Sequence, residues 1–208
     1  MNRTRWSIAA LLISTVCVGM LLNRIGSNGL DALAWMDTGT VVTTDGQVIT
    51  FKGDREAINW LNEHVSGSPV IAEASFGPYR CNGSRISIAT GLPDVIGWDN
   101  HESQQRDTTD FAQRLSDLHE LYTSTSPDTK RAIINKYDIE YIIVGPLEVI
   151  YPHIDELYRC VPTGSQAGID AFNQMIGVDL FPVFSADGTT ILRVVRPSPV
   201  LLDATPAG

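Results

Sequence analysis

The stretch Ser126-Pro-Asp-Thr-Lys-Arg-Ala-Ile-Ile-Asn-Lys-Tyr-Asp-Ile-Glu-Tyr-Ile-Ile-Val-Gly145 decides the fold class of this chain. Ser126 suits an N-cap, Pro127 the first helical position, and Asp128 places an acid in the first turn. The helix they start is expected to run to about Tyr137. After a short break, Ile139 to Val144 is mostly β-branched and apolar, the pattern of a strand covered on both faces. A helix, a short break and an apolar strand form an αβ unit of a parallel sheet.

The same alternation extends outward. Val70-Ile-Ala-Glu-Ala74 reads as a second short, doubly covered strand. Before it, Asp54 reads as an N-cap, with Ala57, Ile58, Leu61 and Val65 at helical spacing. Gly67-Ser-Pro69 stops that helix. Residues 107–122 read as another helix, with Phe111, Leu115, Leu118 and Tyr122 on one face. Val41 to Phe51 reads as a hairpin around Asp45-Gly46, a pair that favours a type I′ turn, or as one loose excursion. Ile169 to Ile176 suggests a helix. Leu180–Phe184 and Thr190–Val195 read as a closing hairpin around Ala186-Asp-Gly188, and Pro182 marks its first strand as an edge. The expected fold is a Rossmann-like α/β layered sandwich with a partly parallel sheet.

The chain has 208 residues, with 43% hydrophobic and 19% charged, which suits one packed domain. Its net charge of −9 argues against a nucleic-acid partner, which needs clustered Lys and Arg. Arg3 and Arg5 precede an apolar run from Trp6 to Leu22, closed by Asn23-Arg24. At about 17 residues the run sits at the short limit for a bilayer span. An uncleaved anchor is favoured over a cleaved signal, since no good cleavage site follows. The positive-inside rule then leaves the N-terminus cytoplasmic and everything from about residue 25 extracytoplasmic, on a single-pass cell-membrane protein. The expected organisation is 1–24 stub and anchor, 25–40 linker, 41–196 α/β domain and 197–208 loose tail. Of three cysteines, Cys17 lies in the apolar run. Cys81 and Cys160 would see an oxidising compartment and are expected to pair, with two buried thiols as the alternative.

Chemistry-bearing residues concentrate in Arg85-Ile-Ser-Ile-Ala-Thr-Gly-Leu-Pro-Asp-Val-Ile-Gly-Trp-Asp-Asn-His-Glu-Ser-Gln-Gln-Arg106. Read as a loop, it is where a scaffold places function. The chain has no Gly-x-Gly-x-x-Gly after a strand, no P-loop and no nucleophile elbow. His101-Glu102 resembles the start of a zincin helix, but Gln105 stands where the second histidine belongs, so no metal is expected, nor any cofactor. If Asp99 or Asn100 caps a helix, His101 and Gln105 share a face, as do Glu102 and Arg106. Glu102 and Arg106 form an i,i+4 ion pair in the simplest reading. Trp98 offers a flat face to a sugar or lipid headgroup, or serves as a core tryptophan. Glu73, inside an apolar strand, either faces a cleft at the strand's end or pairs with an arginine such as Arg85. Ligand crevices in such sheets lie beyond the carboxyl ends of strands. Gly145-Pro-Leu-Glu148 points to the same edge, or is simply a strand-ending turn.

The run from Arg85 to Trp98, with His101-Glu102 and Gln105-Arg106, resembles the large polytopic YYY membrane proteins of Chloroflexi and archaea. Leu30-Asp-Ala-Leu-Ala-Trp-Met36, Trp60-Leu61, Pro69-Val-Ile-Ala-Glu73 and Ile139-Glu-Tyr-Ile-Ile-Val-Gly-Pro-Leu-Glu148 fit the extracytoplasmic end of that family. The resemblance spans roughly residues 28–196. It departs at Asp99-Asn100, where the family pattern has Pro-Gly, and in the many membrane helices that precede this domain in the family. It implies an integral-membrane glycosyltransferase setting that uses lipid-linked sugar donors. The catalytic acid is expected on a loop between early membrane helices, which this chain does not carry. The expectation is an accessory or substrate-binding domain, with a polytopic membrane protein and a lipid-linked sugar or glycan as partners. Arg85 and Arg106 would hold a phosphate or carboxylate, Trp98 would stack on a sugar, His101 with Glu102 would hydrogen-bond hydroxyls, and Gln105 belongs to the same ligand-binding set. The rivals are a structural subunit docked on a larger membrane complex and a stand-alone glycan-active enzyme. The enzyme would need His101 with Glu73 or Glu102 as its base.

Overall fold

The computed structural model describes residues 33–75, 81–97, 104, 108–154, 156–157 and 159–196. The apolar run, the tail from 197 and the site residues Trp98, His101, Glu102, Gln105 and Arg106 lie outside the described residues. Among those described, no helix is long and apolar enough to cross a membrane. The chain divides into two compact units, Met1–Trp35 and Met36–Gly208. In the second, Met36 is buried and Asp37 pairs with Arg55 at 2.5 Å.

Strands β1 (Thr40–Val42) and β2 (Val48–Thr50) form an antiparallel ribbon. Its connection is not the two-residue type I′ turn. Thr43 N donates to Gln47 O, Gly46 N donates back to Thr43 O, and within the loop positive φ falls on Gly46 and not on Asp45. That is a three-residue loop with glycine in the left-handed position. The type I′ turn appears instead at the other end of the chain. There β7 (Leu180–Ala186) and β8 (Thr189–Val194) flank Asp187-Gly188, both at positive φ.

A four-stranded sheet of order β3-β4-β8-β7 organises the described residues. β3 (Val70–Ala72) and β4 (Ile139–Val144) are parallel, while β8 joins β4 and β7 antiparallel. The sheet is mixed α/β and partly parallel. β7 is the edge, and its register shifts between Pro182 and Phe184, which suits a proline that cannot donate to a ladder. Tyr141, Ile142 and Ile143 are all buried, so β4 is covered on both faces. Helix α1 (Lys52–His64) packs against β7 and β8. Helices α3 (Thr108–Thr123) and α4 (Pro127–Lys136) pack on each other, and α4 reaches β4. Ser126 caps α4 by accepting from Thr129 N.

Two interior contacts tie the helices to the sheet. The Tyr122 hydroxyl lies 2.8 Å from both Ala72 O and Ile143 O, bridging the ends of β3 and β4. The buried Lys130 ammonium donates to Leu121 O near the end of α3 and sits 3.9 Å above the Phe172 ring of α6 (Gln166–Phe172). A cation suits both a helix C-terminus and an aromatic face.

Candidate functional site

Where the sequence suggested a loop from residue 85, the chain forms helix α2 (Arg85–Thr90), closed by Gly91 in the left-handed conformation. Its entry is sharply constrained. Cys81, Asn82 and Ser84 all have positive φ, a conformation L-residues adopt at a cost. Cys81 is bonded to Cys160 of β6 (Cys160–Val161), 79 positions away. The disulfide and this turn deliver Arg85 into the interior.

Arg85 is 3% exposed and makes four side-chain hydrogen bonds. Its Nε and Nη2 donate to Asp54 Oδ2 and Oδ1 at 2.6 and 3.1 Å. Nη1 and Nη2 donate to Glu148 Oε1 and Oε2 at 3.1 and 3.0 Å. Glu73 Oε2 lies 3.6 Å from Nη1. A guanidinium forked onto two carboxylates is the geometry for which arginine is suited. The expectation that Glu73 pairs with Arg85 is met at ion-pair distance, although Asp54 and Glu148 hold the closer contacts. Four of the five N–H donors of Arg85 bond to Asp54 and Glu148, so the guanidinium expected to grip a ligand's phosphate or carboxylate is held instead by the protein's own carboxylates.

Each carboxylate is placed by its own element. Asp54 is not the cap of α1. Phe51 occupies that position and Asp54 sits in the first turn, where Thr189 Oγ1 also donates to it at 2.9 Å. Glu148 opens the short helix α5 (Pro146–Ile150), accepting from Gly145 N and from Ala74 N at 2.9 Å each. Gly145 leaves room for these side chains: a Cβ would stand 2.9 Å from Asp54 Oδ1 and 3.1 Å from Glu148 Oε2. Glu73, just past β3, accepts from Ile86 N at 2.8 Å and Ser87 N at 2.6 Å, capping α2 from a distance. Asp94 stands nearby in a turn joined to β3 through Ile71 N and Pro93 O. Its Oδ1 accepts from Val95 N at 2.6 Å, while Oδ2 is sealed without a hydrogen-bond partner among the described residues.

The electrostatics divide the group. Burial pushes Glu148 up, but Arg85's charge and hydrogen bonds, with the Ala74 amide, outweigh it and hold the carboxyl below its usual range. Burial pulls Arg85 down, but Asp54 and Glu148 more than offset it and hold the guanidinium well above its usual value. Burial raises Glu73 to about 7, against the pull of Arg85 and the two amides and with help from Glu148. Burial, then the charge of Glu73, holds Asp94 well above the usual range.

These residues lie beyond the carboxyl ends of β3 and β4, the parallel pair, where α/β sheets place ligand crevices. The chain also leaves this edge under control. Ser75 Oγ and Ser84 Oγ donate to Gly97 O at 3.1 and 2.8 Å, fixing the residue just before Trp98. Of the six residues named for ligand contact, the structure describes Arg85 alone. Sequence reasoning did not foresee Asp54 and Asp94 in the cluster. A carboxylate three residues after Gly145, in a capping-box position, was the available signal for Glu148. Among the described residues no His, Cys, Asp and Glu group is arranged to hold a metal ion.

No family model matches the chain, so the YYY resemblance rests on the motifs that carry it. No curated protein matches it either. Among solved structures, the chain is similar to the C-terminal globular domain of an oligosaccharyltransferase from Archaeoglobus fulgidus, with a TM-score of 0.41 and 13% identity over 68% of this chain and 96% of that one.

Proposed function

We propose that this chain is a membrane-anchored, extracytoplasmic accessory domain of a glycosyltransferase-like assembly, presenting residues 98–106 to a lipid-linked sugar. One observation carries the reading. The motifs that resemble the family supply Glu73, Arg85 and Glu148, and these meet in one buried cluster at the carboxyl ends of the parallel strands. The cluster and the Gly97 clamp support delivery of the next stretch at the edge where α/β sheets bind ligands. Glu73 and Arg85 serve the scaffold in this reading. Ligand contact falls to Trp98 by stacking, Arg106 by charge, and His101, Glu102 and Gln105 by hydrogen bonds. No reaction step is assigned to the domain itself.

The test is purification of the full chain in mild detergent, followed by mass spectrometry of what travels with it. A polyprenyl-linked sugar or a polytopic protein with the wild type, and loss of the sugar with Trp98→Ala and Arg106→Ala, is the expected result. A chain that purifies with neither overturns the proposal.

A further inference from the structure

The turn that enters α2 carries a motif that the Arg85 cluster does not use. Asn82-Gly83-Ser84 has an asparagine followed two positions later by a hydroxyl, with no proline between, the acceptor pattern for N-linked glycans. The pattern also occurs at Asn2-Arg3-Thr4, ahead of the apolar run and on the side read as cytoplasmic. Of residues 81–84, Cys81, Gly83 and Ser84 are buried and Asn82 alone is half-exposed. Its φ of 58° is one that asparagine adopts more readily than most residues, so the backbone accounts for part of its presence. The carboxamide is not accounted for. It makes no hydrogen bond among the described residues, and neither of its polar atoms is buried without a partner.

We propose that Asn82 is an acceptor for an N-linked glycan, attached from a polyprenyl-phosphate-linked donor by an extracytoplasmic oligosaccharide transferase before the turn around it closes. Asn82 Nδ2 attacks C1 of the donor's first sugar, and the new C1–N bond forms as the bond from C1 to the phosphate oxygen breaks. The polyprenyl phosphate leaves with the bonding pair, and a base of the transferase takes the amide proton. Nothing is oxidised or reduced. The proposal rests on the reading that residues from about 25 onward are extracytoplasmic, because the modification is one of exported chains.

The fold sets the order of events. The Ser84 hydroxyl that completes the motif donates to Gly97 O at 2.8 Å, and Ser84 is 2% exposed, so a transferase cannot read it once the fold has formed. Cys81, beside the acceptor, is bonded to Cys160, 79 positions downstream. At roughly 5–20 residues per second, Cys160 is made about 4–16 seconds after Cys81, and that interval is open to the transferase. The finished glycan takes nothing from the cluster, since the Asn82 carboxamide bonds to none of its members. It flanks the Ser84–Gly97 clamp.

Mass spectrometry of the full-length chain, purified from the cells that make it, reads the peptide that holds Asn82. A glycan mass increment on Asn82, lost in Ser84→Ala and kept in Ser84→Thr, is the expected result. An unmodified Asn82 overturns the proposal, as does an increment that survives Ser84→Ala. Should Ser84→Ala fail to accumulate, Asn82→Gln decides, because it keeps the buried hydroxyl and removes only the acceptor: its mass is expected to fall by the glycan, and an unchanged glycan mass overturns the proposal. The order of events is read with membranes that hold the transferase and its donor, given glycan-free chain either folded and cross-linked or reduced and unfolded. Only the unfolded sample is expected to be modified, and equal modification of both overturns the order. Protease treatment of intact cells separates this proposal from the reading on which it rests. A digested domain with a bare Asn82 sinks the glycan alone, and a protected domain with a bare Asn82 sinks both.

Discussion

Arg85 grips Glu148 through two nitrogens, Nη1 to Oε1 at 3.1 Å and Nη2 to Oε2 at 3.0 Å, across 63 positions of sequence. The same guanidinium forks onto Asp54, 31 positions away in the other direction. Removing it leaves Asp54 and Glu148, and Glu73 behind them at 3.6 Å, without a counter-charge. Arg85→Met is therefore expected to cost about 3–5 kcal/mol. Arg85→Lys recovers little, because an ammonium cannot fork onto both partners. Urea unfolding checks both, and a loss under about 1 kcal/mol for Arg85→Met would show that the cluster contributes little to stability.

Gly145 gives a sharper test of the same space. Its added Cβ would meet Asp54 Oδ1 at 2.9 Å and Glu148 Oε2 and Thr189 Oγ1 at 3.1 Å. Gly145→Ala is expected to destabilise by about 1–3 kcal/mol through overpacking. Thermal unfolding would show a lowered midpoint. An unchanged midpoint would mean that the cluster repacks around a methyl group.

Tyr122 offers one hydroxyl to Ala72 O and Ile143 O. Tyr122→Phe keeps the ring and removes the donor, leaving buried carbonyls short of a partner. The expected cost is about 1–3 kcal/mol. Chemical denaturation measures it, and the variant should keep the near-UV signature of a packed core.

Replacing both Cys81 and Cys160 by serine releases the strained turn before Arg85 as well as the cross-link. The expected loss is about 2–5 kcal/mol. If the denaturation midpoint of the double variant equals that of the wild type, the cross-link adds nothing to native stability.

Local signals were legible, and of the distant ones only Cys81 with Cys160 and Glu73 with Arg85 were. Helix α4 and strand β4 follow from Ser126, Pro127 and an apolar run, all of which act within a few residues. The closing hairpin was equally plain, since Asp187-Gly188 suits positive φ at both positions. Asp54 misled because an acid before an apolar helical pattern resembles a cap. Its partner Arg85 lies 31 positions ahead, and no local rule connects the two. Arg85 looked like a ligand contact for the same reason: Glu73 inside an apolar strand pointed to it, but an arginine in a Gly- and Pro-rich stretch carries no mark of Asp54 and Glu148. The Asp45-Gly46 pair favoured one turn locally, but the Thr43–Gln47 pairing selected a longer loop.

The sheet order β3-β4-β8-β7 has a consequence for biosynthesis. A ribosome delivers β3 and β4 first, yet the strand that completes β4 on its far side begins at Thr189. At roughly 5–20 residues per second, that edge of β4 waits several seconds for its partner. Asp54 waits longer still for Thr189, 135 positions downstream. A message truncated before codon 189 would leave the nascent chain with an apolar strand paired on the β3 side alone, a substrate for chaperones and proteases rather than a shorter version of the same domain.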